Sequence, residues 1–291
     1  MSTGKEFGFP AEDWTGELVR RSLIEDIGSG DVSTEVTVGS DLRAVSEVTA
    51  RQAGVVAGLP LLEMLFRELD PEVSVSVLMP DGTFVEPGDV VARIEGPAGP
   101  LLTGERTALN FLQHLGGIAS LTREYVNRVA GTSCLVLDTR KTLPGYRQLA
   151  KYAVRCGGGH NHRMGLYDRI MLKDNHWSAG GGSIAELVDR SRLLHPELDL
   201  EVEVDTLEQL AVVLPLGVEW ILLDNFTPDL TAEAVGLRDS GKSSTLLEAS
   251  GNVNLDTIAA FARAGVDAAS VGRLTHSAPA LDLGLDMEKS Q

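Results

Sequence analysis

The sequence predicts an α/β protein, with an α+β module in about its first hundred residues and a parallel sheet or barrel after them. One observation behind this is a change of texture near residue 101, where mixed helical and alternating segments give way to short apolar runs separated by helical stretches. Another is that charged residues cluster directly after those apolar runs, at the strand ends where parallel α/β folds place ligands.

In the first part, Trp14 to Ile27 has helical periodicity, while Ala44 to Ala50 and Glu72 to Leu78 alternate as strands do. Val73 to Glu95 reads as strand, turn at Pro80-Asp81-Gly82, strand, second turn at Pro87-Gly88-Asp89, and a strand from Val90 to Ile94. That pattern resembles the hairpin of biotinyl and lipoyl carrier domains. Such carriers hold their cofactor on a lysine of an exposed turn, and no lysine occurs from Glu6 to Arg140, so a carrier fails on chemistry. Thr103 to Leu115 predicts a helix with Leu109, Leu112 and Leu115 on one side and Arg106, Asn110 and Gln113 on another. The later strands are expected at Cys134 to Leu137, Arg169 to Leu172, Leu200 to Val204, Trp220 to Leu223, Thr245 to Leu247 and Ala268 to Val271. Helices are expected at Ser183 to Leu194, Leu207 to Leu214 and Leu255 to Ala264.

With 291 residues, 43% hydrophobic and 23% charged, the chain can bury the core of one large domain or two, and disorder is excluded. Its net charge of −17 repels nucleic-acid phosphates and anionic lipid, so any anion site must be local. The N-terminus lacks a basic region followed by an apolar core, and no apolar run approaches the roughly 20 residues that span a bilayer. A cytoplasmic protein with no nucleic-acid or membrane partner is expected. Cys134 and Cys156 make no CxxC pair and read as buried free thiols.

Against the acidic background, Asp138 to His176 carries eight Lys or Arg, at 140, 141, 147, 151, 155, 163, 169 and 173, against Asp138, Asp168 and Asp174, a local +5. His160, His162 and His176 add hydrogen-bond donors, and Gly157-Gly158-Gly159 lets the backbone approach a ligand. The segment is either a basic surface for an acidic partner or a built anion site. Arg140, Lys141 and Lys173 directly follow strands, which favours the site, and arginine's planar fork suits carboxylates and phosphates.

Glu201-Val202-Glu203-Val204-Asp205 puts three carboxylates on one strand face, as an amphipathic strand would. With Asp224 at the end of the next strand, Glu203 could instead hold a hard cation such as Mg²⁺. Ser250-Gly251-Asn252, between a strand and a helix, is either an ordinary turn or a phosphate cradle of backbone N–H groups at a helix dipole. There is no P-loop, and no GxGxxG in a strand-turn-helix setting, so those nucleotide sites have no support.

Gly104 to Asn110 (GERTALN), Asp138 to Thr142 (DTRKT), Gly157 to Arg163 (GGGHNHR), Met171 to His176 (MLKDNH) and Glu201 to Asp205 (EVEVD) resemble the quinolinate phosphoribosyltransferase family. The resemblance continues through Leu222 to Phe226 (LLDNF), Ser250-Gly251, Val271-Gly272 and Leu274 to His276. It implies a type II phosphoribosyltransferase fold, with an N-terminal α/β sandwich domain at 1–116, joined by the C-terminal tail 275–291, and an incomplete α/β barrel at 117–274 of about seven strands. It also implies a homodimer in which Arg106 enters the partner's active site.

The reaction implied joins quinolinate to phosphoribosyl pyrophosphate with Mg²⁺, giving nicotinate mononucleotide, pyrophosphate and CO₂ for NAD biosynthesis. On the resemblance, Arg140, Arg163, Lys173, His162 and a second copy's Arg106 orient the two carboxylates, with Thr139 beside them, and Lys141 serves either substrate. Lys141 and Lys173 assist the departing charge while Glu203 and Asp224 hold metal or ribose hydroxyls. Ser250, Gly251 and Asn252, with Val271, Gly272 and Arg273, would cradle the 5′-phosphate. The alkylated ring nitrogen stabilises the carbanion left by CO₂, so no separate decarboxylation cofactor is expected. A same-fold enzyme for another aromatic acid such as nicotinate, or a non-catalytic anion-binding module, is the alternative.

Overall fold

Alternation of buried and exposed side chains decides the first sheet, and continuous burial decides the second. The computed structural model describes residues 8–173, 176 and 183–289. Its strands are β1 (Arg43–Ala50), β2 (Gly54–Val55), β3 (Ser74–Val77), β4 (Phe84–Val85), β5 (Val90–Pro97), β6 (Leu135–Leu137), β7 (Ile170–Leu172), β8 (Leu200–Val204), β9 (Trp220–Asp224), β10 (Leu246–Ser250), β11 (Ala268–Ser270) and β12 (Leu283–Lys289).

The first compact unit covers 7–123, 148–158 and 277–291. Its antiparallel sheet has the order β12-β1-β5-β3. Along β1, Ala44, Ser46, Val48 and Ala50 are buried while their neighbours are not, the period of a half-buried strand. The helix Pro60–Leu69 buries Leu61, Leu62, Leu65 and Phe66. β3 pairs with β5, but β4 pairs with β2 in a separate two-stranded sheet. The run from Val73 to Glu95 is therefore not a continuous hairpin, because its middle strand serves another partner.

The helix expected from Thr103 to Leu115 runs from Ala98 to Arg128, straight through Gly116 and Gly117. A Cβ at Gly117 would stand 2.0 Å from the Pro279 carbonyl oxygen, and one at Gly116 would stand 2.9 Å from Leu281. These glycines admit the C-terminal tail, which Gln113 then ties down. Its carbonyl accepts from Leu281 N at 2.9 Å and its side-chain amide donates to Leu283 O at 2.8 Å. The close approach offsets the roughly 1 kcal/mol that each glycine costs a helix.

The second unit comprises 124–147 and 159–276. Its sheet is entirely parallel, in the order β6-β11-β10-β9-β8-β7. Among the described residues a further parallel bridge joins Leu137, at the end of β6, to His160. Trp220, Ile221, Leu222 and Leu223 are all buried, as expected where both faces of a parallel strand are covered. Returning helices start at side-chain caps: Ser183 in a capping box with Glu186, Thr206 on Gln209 N, and Thr227 on Leu230 N ahead of Pro228. β10 runs three residues beyond the expected end, to Ser250. The helix expected from Leu255 begins at Ile258, because the Asn254 side chain accepts from Asp256 N at 2.9 Å and Thr257 N at 3.1 Å and holds a turn there. No helix of the described residues is long and apolar enough to cross a membrane.

Candidate active site

Parallel strands bring their C-terminal ends to one side of the sheet, and the second unit opens a cavity of 420 Å³ there. After β6 come Thr139, Arg140 and Lys141, and the loop beyond the bridge supplies His162 and Arg163. Met171 comes from β7 and Lys173 directly follows it, with Glu203 from β8, Leu222 and Asp224 from β9, Glu248 and Ser250 from β10, and Ser270 from β11.

One part of the lining is cationic. Arg140 Nη1 is buried with no hydrogen-bond partner among the described residues. Its loop is braced by Arg147, which donates to Arg140 O at 3.2 Å, Met164 O at 3.1 Å and Thr142 Oγ1 at 3.2 Å. Arg163 donates to Arg169 O at 3.2 Å, and burial, then the charge of Arg140, lowers its pKa. Two guanidiniums that repel one another while lining one cavity favour an anion that compensates both. Lys173 is ion-paired with Glu203, and Lys141 packs so close to Gly272 that a Cβ there would stand 3.0 Å from its Cδ.

Seven of the eight cations of the segment separate by role. Arg140, Lys141, Arg163 and Lys173 line the cavity, while Arg147 braces a loop. Arg169 is buried 3.5 Å from Glu201 with its guanidinium 5.2 Å from the Trp220 ring centroid, and Lys151 is fully buried within the first unit. A basic docking surface does not describe this arrangement. Gly157 is packed tightly rather than open to a ligand, since a Cβ there would lie 2.4 Å from Ala119 O.

The three carboxylates of β8 and its end also separate. Glu201 is fully buried, Glu203 lines the cavity, and Asp205 is exposed, its N–H donating to Gln209 Oε1 at 2.6 Å. His162 Nε2 lies 3.1 Å from Glu201 and 3.6 Å from Glu248. Burial alone would raise Glu201, but the His162 imidazole edge 3.1 Å away and the Arg169 guanidinium 3.5 Å away hold its pKa below the usual carboxylate range. Burial and then the Glu201 charge push Glu248 up to about 7. Glu248 and Ser270 were not among the expected site residues. Glu248 sits inside an apolar run, and its only sequence signal is a charge where a buried parallel strand has no place for one.

On the other side of the cavity, Asp224 accepts from Asn225 Nδ2 at 2.8 Å. Asn225, Gly251 and Asn252 all have positive φ, at 57°, 78° and 55°. The two strand-end turns interlock: Asn225 N donates to Ser250 O at 2.9 Å, and a Cβ at Gly251 would fall 2.2 Å from Asn225 Oδ1. The following helix starts only at Ile258 and has seven residues, so this turn is not its N-terminus. Ser250 lines the cavity, whereas Gly251, Asn252, Val271, Gly272 and Arg273 lie beyond it in the same strand-end segments. Asp174 and Asn175 lie outside the described residues; His176 is exposed, and its Nδ1 accepts from Lys173 N at 2.9 Å. Arg106 is exposed on the long helix of the first unit. Both cysteines are free, Cys134 buried and Cys156 only partly so, and burial pushes each thiol up to about 12.

An open parallel α/β sheet with cations and carboxylates facing one strand-end cavity defines a class: an enzyme for a small, highly anionic substrate. Residues 31–116 match the N-terminal domain, and 118–286 the C-terminal domain, of quinolinate phosphoribosyl transferase. A nicotinate-nucleotide pyrophosphorylase [carboxylating] of Mycobacterium leprae is 43% identical over 278 residues, covering 94% of this chain and 98% of that one. Among solved structures, NadC from Streptococcus pyogenes superposes with a TM-score of 0.91 at 38% identity, over 97% of this chain and 99% of that one. The nicotinate-nucleotide pyrophosphorylase of Francisella tularensis gives 0.93 at 34% identity, over 98% and 100%. The chain belongs to the quinolinate phosphoribosyl transferase family.

Proposed function

We propose that this chain transfers the phosphoribosyl group of phosphoribosyl pyrophosphate to the ring nitrogen of quinolinate and releases CO₂, forming nicotinate mononucleotide for NAD biosynthesis. The observation that carries this reading is the buried Nη1 of Arg140, unpartnered among the described residues, in the cavity that Arg163 also lines. Two guanidiniums lining one cavity suit two adjacent carboxylates, and quinolinate, the substrate in the name of the matching family, carries two.

Arg140, Arg163 and Lys173 hold the dicarboxylate, with His162 and Thr139 alongside and Arg106 of a second copy completing the site in a homodimer. Lys141 reaches either substrate. Ser250, Gly251 and Asn252, with Val271, Gly272 and Arg273, receive the 5′-phosphate through backbone N–H and hydroxyl groups. Glu203 and Asp224 face the same cavity and offer the hard oxygen donors that suit Mg²⁺. Bound there, Mg²⁺ would neutralise charge on the departing pyrophosphate. Lys173 and Lys141 add positive charge at that end, and Glu203 and Asp224 also fit the ribose hydroxyls. After transfer, the cationic ring nitrogen accepts the electron pair left when the adjacent carboxylate departs as CO₂. The proposed compartment is the cytoplasm.

The test is Arg140→Ala in the full chain. Loss of quinolinate turnover with the fold retained, judged by circular dichroism and thermal unfolding, supports the assignment; wild-type turnover removes it.

A further inference from the structure

Two carboxyl groups and one imidazole nitrogen meet at the floor of the cavity. Glu201 and Glu248 are fully buried and each directs an oxygen at His162 Nε2, at 3.1 and 3.6 Å. The charged and titratable groups acting on Glu248 are Glu201 on β8, His162 on the loop, Arg169 ahead of β7 and the hydroxyl of Ser270 on β11. Its partner in register on β9 is the apolar Leu222, and the Cys134 thiol before β6 senses its charge. Asp138 stands behind the histidine, accepting from His162 N at 2.9 Å.

The protons can be placed by geometry. Arg163 N donates to His162 Nδ1 at 2.7 Å, so that nitrogen accepts and carries no proton. The single ring proton then sits on Nε2, facing Glu201. Among the described residues one arginine lies within ion-pairing distance of the two carboxyl groups, Arg169 at 3.5 Å from Glu201. A second buried anion without a cation is too costly to hold ionised, so one carboxyl keeps its proton. Glu201 has the arginine, and Glu248 makes no ion pair with arginine or lysine among the described residues. Burial and the Glu201 charge push in the same direction, up to about 7.

We propose that Glu248 is a positioning residue held as a neutral carboxylic acid during turnover, bracing with Glu201 the Nε2 edge of His162 and, through that ring, the backbone of Arg163. Its deprotonation puts a negative charge into the cavity that receives the dicarboxylate. This inference rests on the proposed placing of quinolinate at Arg140 and Arg163.

Steady-state kinetics of the full chain between about pH 6 and about pH 9 test it. The wild-type KM for quinolinate rises about tenfold across the range while the KM for phosphoribosyl pyrophosphate stays level. Glu248→Gln, neutral at every pH and similar in shape, keeps the low-pH quinolinate KM throughout. Ser270→Ala, which removes a hydroxyl favouring the charged form, moves the rise to higher pH and supplies the answer if Glu248→Gln does not fold. The same rise in wild type and Glu248→Gln, no rise in wild type, or an equal rise for both substrates overturns the inference. So does a stoichiometric transition metal retained by wild type and lost from Glu248→Gln, since the three groups would then be ligands. A wild type that turns over no quinolinate removes the proposed function and this inference with it. A wild type active on quinolinate with a profile indifferent to Glu248 removes the inference alone.

Discussion

Lys173 and Glu203 form an ion pair between the ends of β7 and β8, with the glutamate side chain 11% exposed and the lysine 40%. The pair joins the cationic and the acidic parts of the cavity lining. Lys173→Ala removes the cation and leaves a largely buried carboxylate facing the anionic substrates. Turnover efficiency with quinolinate falls by at least about 100-fold, while the thermal midpoint moves by only a few degrees, about what a partly exposed pair contributes. Kinetics and thermal unfolding of the variant check both outcomes.

Gly251 has φ of 78°, and a Cβ there would fall 2.2 Å from Asn225 Oδ1. Gly251→Ala strains the backbone and separates the two interlocked turns. A loss of about 2–4 kcal/mol in denaturant unfolding is expected, with a raised KM for phosphoribosyl pyrophosphate and little change in that for quinolinate.

If Arg106 completes the active site of a second copy, two inactive variants should complement. Arg106→Ala supplies a subunit with an intact Lys173, and Lys173→Ala supplies the missing arginine. An equimolar mixture that exchanges subunits regains about one quarter of wild-type activity, from one intact site in half of the dimers. No recovery in a mixture shown to exchange contradicts the shared site.

The pKa of Glu248 is raised in the fold from 4.5 to about 7, so the native state binds that proton more tightly than the unfolded chain. Its contribution to stability is complete below the unfolded value and is lost as the pH rises through the folded one. The difference in unfolding free energy between wild type and Glu248→Gln should therefore shrink, in the wild type's disfavour, between pH 4.5 and about 7. A difference that does not vary with pH over that window contradicts the raised value.

The alternation of strands and helices after the long helix was legible because each parallel strand is a short apolar run. The helix after β8, capped by Thr206, was read, whereas Pro228–Ser240, capped by Thr227, was not. Arg140, Lys141, Lys173, Glu203 and Asp224 were legible for the same reason, since a charge directly after a buried strand reaches the strand-end cavity. The length of the helix Ala98–Arg128 was not, because Gly116 and Gly117 look like breakers until the tail that needs them is in place. The partner of β4 was also hidden, because alternation reports which face is buried and not which strand lies alongside. Glu201 and Glu248 differ from Glu203 by depth alone, and depth depends on how the strands lie in the sheet.

The measurement that bears most directly on the proposed function is incubation of the purified chain with quinolinate, phosphoribosyl pyrophosphate and Mg²⁺, following nicotinate mononucleotide and CO₂ together, with nicotinate in a parallel reaction. Equimolar nicotinate mononucleotide and CO₂ from quinolinate, with no product from nicotinate, is the predicted result. Product without CO₂, or equal turnover of nicotinate, would contradict it.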